Sequence, residues 1–190
     1  MTNNYIVVMT ASAGGLKALS QILSKLPEDF PAPIAVVQHL APHYASMLAE
    51  ILSKRTPLVV KQAEAGDKLY PGTVYIAPPD QHLLVNPDAA TLSLSHEKKV
   101  RHVRPAGDVL FQSAAASFCE RAIAVVLTGM DSDGAAGAQA IKNMGGIVIA
   151  QDQATSEFFA MPQAAIRTGV VDFILPLDAI APALLNLINK

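Results

Sequence analysis

The 190-residue sequence has one cysteine, Cys119. A lone cysteine excludes an internal disulfide and fits a reducing compartment. Only 16% of the residues are charged, and the net charge is −2 with no dense run of lysine and arginine. The electrostatic footprint of a nucleic-acid binder is therefore missing. No apolar stretch approaches the roughly 18–20 residues of a membrane-spanning helix, so no membrane insertion is expected. The start, MTNNYIVV, has neither the basic region nor the cleavage site of a secretory signal, and a cytoplasmic location is expected. No repeat, low-complexity tract or linker divides the chain, so a single domain over residues 1–190 is expected.

What is present is apolar: 51% of residues, enough for one large core. Short unbroken runs recur at Tyr5–Met9, Ile34–Val37, Ile123–Leu127 and Ile147–Ile149. They are rich in β-branched residues and do not alternate with polar ones, the habit of parallel strands covered on both faces. Helical spacing joins Leu16, Leu19, Ile22, Leu23 and Leu26 on one face, and Met47, Leu48, Ile51 and Leu52 on another. A further helix is predicted from Gly134 to Met144, closed by Gly145-Gly146. Alternation of strand and helix predicts a doubly wound, mostly parallel α/β sheet with helices on both faces. The middle of the chain departs from this scheme. Short strand candidates at Gly72–Ala77, His82–Val85 and Thr91–Ser95 are separated by Pro78-Pro79-Asp80 and Asn86-Pro87-Asp88. They suggest an added antiparallel β-hairpin.

In open α/β sheets, ligands gather outside the carboxyl ends of the strands. Three side chains of one chemistry arrive there from three strands: Ser12 after the first, His39 after the second, and an aspartate within Thr128-Gly-Met-Asp-Ser-Asp-Gly134. A nucleophile, a base and a group that orients the base need those residue types. Each also has a structural reading, as a helix cap, a satisfied strand-end histidine or a helix start. Two other classes compete. A dinucleotide site wants an acidic residue at the end of the second strand, where this chain has Gln38-His39. A magnesium-dependent phosphoryl-transfer site would use Asp131, Asp133 and Asp152, and leaves Ser12 and His39 without a role. As a calcium loop, the segment has Lys142 where the twelfth-position glutamate belongs. The GKS or GKT phosphate loop is absent.

Several segments together resemble one family. They are A-S-A-G-G-L at 11–16, V-V-Q-H-L at 36–40, Ile76-Ala-Pro-Pro with His82, Arg104-Pro-Ala-Gly-Asp108, L-T-G-M-D-S-D-G at 127–134, Ala150-Gln-Asp152 and Met161-Pro162. In this order, and over nearly the whole chain, the set resembles the chemotaxis receptor methylesterases, the CheB-type catalytic domain. The resemblance implies hydrolysis of γ-glutamyl methyl esters on the cytoplasmic signalling domain of chemoreceptors, with deamidation of receptor glutamine in some members. It implies no metal and no cofactor.

Carried over by position, Ser12 is the expected nucleophile, His39 the base and Asp133 the orienting carboxylate. The backbone N–H of Met130 is expected in the oxyanion hole, with Ala13 and Gly14 beside it. His82, Arg104 and Met161 are candidate substrate-edge residues, and Arg104 and Asp108 also suit a helix-start pair. His43, His96 and His102 are expected to be solvated. The α/β-hydrolase elbow G-x-S-x-G is absent. Three positions depart from the family's usual pattern: Thr10 and Asp131 stand where glycine is common, and Ala13 where threonine is common. A phosphoryl-accepting regulatory domain, frequent in the family, is not expected within these residues. It would act in trans or in a longer chain. The non-catalytic alternative is a module that only binds the receptor.

Overall fold

A computed structural model describes residues 5–40 and 45–189. The elements follow in order β1 (Ile6–Ala11), α1 (Gly15–Leu23), β2 (Ile34–Gln38), α2 (Leu48–Ser53), β3 (Val59–Gln62), β4 (Thr73–Ile76), β5 (His82–Val85) and β6 (Leu92–Ser95). Then come α3 (Gly107–Phe118), a short 3₁₀ turn, β7 (Ala122–Val126), α4 (Ala135–Asn143), β8 (Ile147–Gln151), α5 (Ala160–Arg167), β9 (Phe173–Leu175) and α6 (Leu177–Ile188).

Seven strands form one sheet in the order β3-β4-β2-β1-β7-β8-β9, and every neighbouring pair is parallel. The central strands are wholly buried because both of their faces are covered. Successive residues point to opposite faces. Val7, Met9, Ile34, Val36, Ile123 and Val125 meet the side chains of α1 and α6. Val8, Ala35, Val37, Ala124 and Val126 meet those of α3 and α4. Each fully buried leucine or isoleucine contributes about 1.5–3 kcal/mol by leaving water.

β5 and β6 form a separate antiparallel hairpin that packs on α3. The strand at Thr73–Ile76 does not belong to it. This strand lies in the parallel sheet between β3 and β2, where Val74, Tyr75 and Ile76 are covered on both faces. Cys119 is half-buried and closes α3 with a φ of 52°.

Strand order reverses across β1 and β7. The chain leaves β1 toward β2 on one side, and β7 continues toward β8 on the other. The carboxyl ends of β1 and β7 therefore flank the crevice where doubly wound sheets bind ligands.

Candidate active site

The sheet register aligns the site. Ala11 is opposite Gln38 and Thr10 is opposite Val126. The ladder runs one step past the strands: His39 N–H donates to Ala11 O (3.0 Å) and Ser12 N–H donates to Thr128 O (2.9 Å). Ser12, His39 and Thr128 thus stand in one row at the edge of the sheet.

Ser12 sits on the turn into α1. Gly15 N–H donates to its carbonyl at 2.8 Å, and Gly14 completes the turn with a φ of 78°, a conformation costly for a residue with a Cβ. The Gln38 amide donates to the carbonyls of Ser12 (2.8 Å) and His39 (3.1 Å), tying the ends of β1 and β2 together. Among the described residues its buried Oε1 has no hydrogen-bond partner. Nothing in the sequence reading assigned this role to Gln38. The only signal was a polar residue closing an apolar strand. A groove of about 650 Å³ begins at Ser12 and runs along α1, past Lys17 to Arg55.

His39 lies between two carboxylates. Its Nε2 is 2.8 Å from Asp133 Oδ2, and its Nδ1 is 3.2 Å from Asp131 Oδ2. Burial alone would lower the imidazole's pKa. The two carboxylates outweigh burial and raise it to about 9. Asp131 is likewise desolvated, but His39 and the Asp133 N–H bring its pKa below the usual carboxylate range.

Asp133 is fully buried. It accepts hydrogen bonds from the N–H groups of Gly107 and, at 2.9 Å, Asp108, which open α3. Those donors are the unpaired amides of a helix start, where negative charge is favoured. Thr10 is buried against this corner and fits because two neighbours lack side chains. A Cβ on Gly107 would lie 2.4 Å from its hydroxyl, and one on Gly134 2.7 Å from its methyl.

The loop after β7 is held from two sides. Gly129 N–H donates to Phe158 O (2.9 Å), and Gly129 O accepts from Met161 N–H (3.1 Å). The Thr128 hydroxyl donates to Ala13 O at 2.9 Å. Met130 follows, exposed, and its N–H finds no acceptor among the described residues.

The outer candidates are placed differently. His82 is buried. Its Nδ1 accepts from Ala106 N–H (3.2 Å) and its Nε2 donates to Lys98 O (3.1 Å), so it braces the start of α3. Arg104 pairs with Asp80 at 2.8 Å and not with Asp108, whose partner is Arg101 at 3.1 Å. The φ of 49° at Arg101 belongs to the turn that carries its guanidinium to that carboxylate. Met161 is fully buried beneath Gly129, and Pro162 takes the third helical position of α5. Asp152 accepts from the backbone and hydroxyl of Thr155 in a local turn. His96 and His102 are exposed, and His43 lies outside the described residues.

The profile of one protein family, CheB methylesterase, matches residues 7–184. The chain belongs to this family. It is 44% identical to the protein-glutamate methylesterase FrzG of Myxococcus xanthus, over 97% of this chain and 55% of that protein. It is also 44% identical to a protein-glutamate methylesterase/protein-glutamine glutaminase of Pyrococcus horikoshii, over 92% of this chain and 48% of that one. The chain spans about half the length of the curated relatives it matches. The crystal structure of the Thermotoga maritima CheB methylesterase catalytic domain superposes with a TM-score of 0.94 at 42% identity, covering 97% of this chain and 98% of that one. The doubly wound sheet with its added hairpin is thus the fold of the family.

Proposed function

We propose that this chain hydrolyses γ-glutamyl methyl esters on the signalling domain of a chemoreceptor, releasing methanol and leaving glutamate, with deamidation of receptor glutamine as a second activity. One observation carries this reading: Ser12 and His39 stand side by side at the sheet edge, and a buried carboxylate, Asp133, holds Nε2 of the imidazole.

The chemistry follows from that order. Asp133 on Nε2 leaves Nδ1 as the nitrogen for the serine proton, and orients the ring for it. Ser12 Oγ attacks the ester carbonyl as His39 takes its proton, and the bond to methoxide breaks as that proton is returned to the leaving group. Met130 N–H, with the N–H groups of Ala13 and Gly14, would hold the oxyanion; one such donor supplies ~10²–10³-fold. Water then releases the acyl group from Ser12. The groove from Ser12 past Lys17 and Arg55 suits a receptor helix carrying glutamates. Among the described residues no helix is long and apolar enough to cross a membrane. A cytoplasmic location follows from the proposed substrate, and a phosphoryl-accepting regulatory domain is the proposed controller, in trans or in a longer chain.

The magnesium reading is weakened by where the carboxylates are committed: Asp131 and Asp133 to His39, and Asp152 to Thr155. Methanol assayed from a methylated chemoreceptor signalling domain, with and without EDTA, tests the proposal. Release that persists in EDTA supports it. Receptor binding without methanol would favour the binding module, and release abolished by EDTA and restored by Mg²⁺ the metal enzyme.

A further inference from the structure

We infer that Asp131 is a latch on the catalytic base: its carboxylate occupies the imidazole nitrogen that Ser12 must use, and it has to swing away before turnover. The inference rests on the proposed roles of Ser12 and His39.

The two carboxylates on His39 are not equivalent. Asp133 is 0% exposed and is pinned by the N–H groups of Gly107 and Asp108, so it cannot leave Nε2 without uncapping α3. Asp131 is 35% exposed and lies on the loop after β7. One hydrogen bond restrains its side chain from within the loop, from Asp133 N–H to Oδ1 at 2.8 Å. Rotation about its Cα–Cβ bond gives up that hydrogen bond and the 3.2 Å pair with His39, and exposes the carboxylate to water. Asp133 is therefore the fixed orienter, and Asp131 is the group able to move.

While Asp131 stays, Nε2 is hydrogen-bonded to Asp133 at 2.8 Å and Nδ1 lies 3.2 Å from the Asp131 carboxylate, within ion-pair range. An imidazole so placed keeps a proton on each nitrogen, and an imidazolium has no lone pair to receive the Ser12 proton. The surroundings hold the pair charged. Arg101, whose guanidinium reaches Asp108 and Ser132, favours the ionised Asp131. Lys99, His102 and Arg104 line a small pocket beside His39, and burial disfavours the charge on the ring. The carboxylates win, and with a pKa of about 9 His39 is mostly imidazolium at pH 7. Removing Asp131 removes one of the two carboxylates and the obstruction of Nδ1 together.

The test uses two readouts that need no receptor. One is the pH titration of the His39 ring nitrogens by ¹⁵N NMR. The other is the rate at which a fluorophosphonate probe labels Ser12 at pH 7. Wild type is compared with Asp131→Asn, which keeps the acceptor for Asp133 N–H, and with Asp131→Gly, which removes the side chain. Amide spectra establish that both variants fold. The latch predicts a His39 midpoint at least one pH unit lower in both variants, a pH profile of labelling that shifts with it, and labelling at pH 7 at least tenfold faster in Asp131→Gly. An unchanged midpoint overturns it. So does a lower midpoint in folded variants with labelling no faster than wild type. Failure of the esterase reading looks different: the probe would label Ser12→Ala as strongly as wild type, while the His39 midpoint still reports whether Asp131 holds the ring.

Discussion

Asp133 and Asp108 cap each other's helices. Asp133, just before α4, accepts from the N–H groups of Gly107 and Asp108 at the start of α3. Asp108, in the first turn of α3, accepts from the N–H groups of Gly134 (3.0 Å) and Gly137 (2.7 Å) at the start of α4. Each carboxylate thus satisfies amides that a helix start leaves unpaired. The proposed orienter of His39 is thereby part of the joint between α3 and α4, which pack against each other.

Asp108→Ala breaks one half of that joint without touching His39. It removes the acceptor for two buried amides and the partner of Arg101. A loss of about 1–3 kcal/mol is expected, measured by urea unfolding, with methanol release kept within about tenfold of wild type. A stability unchanged from wild type would mean that the joint is not what holds α4.

Asp133→Asn tests the other half and separates stability from chemistry. Asparagine has one acceptor oxygen where the site presents three donors: two amides and the His39 ring. Turnover is expected to fall by ~10⁴-fold, as when a triad carboxylate is replaced by its amide. Substrate binding should change little. A loss confined to KM would place Asp133 in substrate binding.

The His39 ion pairs make stability depend on pH. The folded-state pKa of about 9 exceeds the ordinary value of 6.5. This contribution is therefore fully present below pH 6.5 and is lost as pH rises through 9. Unfolding free energy should drop between pH 6.5 and 9.5 by up to about 3 kcal/mol, and His39→Gln should flatten that slope. Equal slopes in the two proteins would count against the pairing.

Gly15 is where a single methyl group should reach the nucleophile. A Cβ there would lie 1.9 Å from Gln38 Oε1 and 2.8 Å from the Ala11 side chain. The displaced amide is the one that holds the Ser12 carbonyl. Gly15→Ala is expected to cost about 1–3 kcal/mol and to reduce turnover by ~10²-fold through misplacement of Ser12. Paired unfolding and methanol assays would show whether the two effects travel together.

The central strands could be read from the sequence because burial on both faces demands continuous apolar runs, as in Ile6–Ala11 and Ala122–Val126. The edge strands could not. Val59–Gln62 and Phe173–Leu175 are short, lie at the two edges of the sheet and are largely exposed, so burial does not mark them. Helix α3 was legible only at its start, where Asp108 suits a helix-start residue; its small residues, Ala114, Ala115 and Ala116 among them, blur the contrast between its faces. Ser12 and His39 were legible because strand ends name them. The Asp131 contact depends on how the loop between Val126 and Ala135 folds back over His39, and no periodicity encodes that. Asp108 resembled a partner for Arg104 by proximity in sequence, whereas the turn at Arg101 delivers the nearer guanidinium.

The most direct test compares methanol release from a methylated chemoreceptor signalling domain by wild type and by Ser12→Ala, with both proteins shown to be folded. The proposed serine chemistry predicts release by wild type and a rate at least ~10³-fold lower in the variant. Release by Ser12→Ala at the wild-type rate would contradict it.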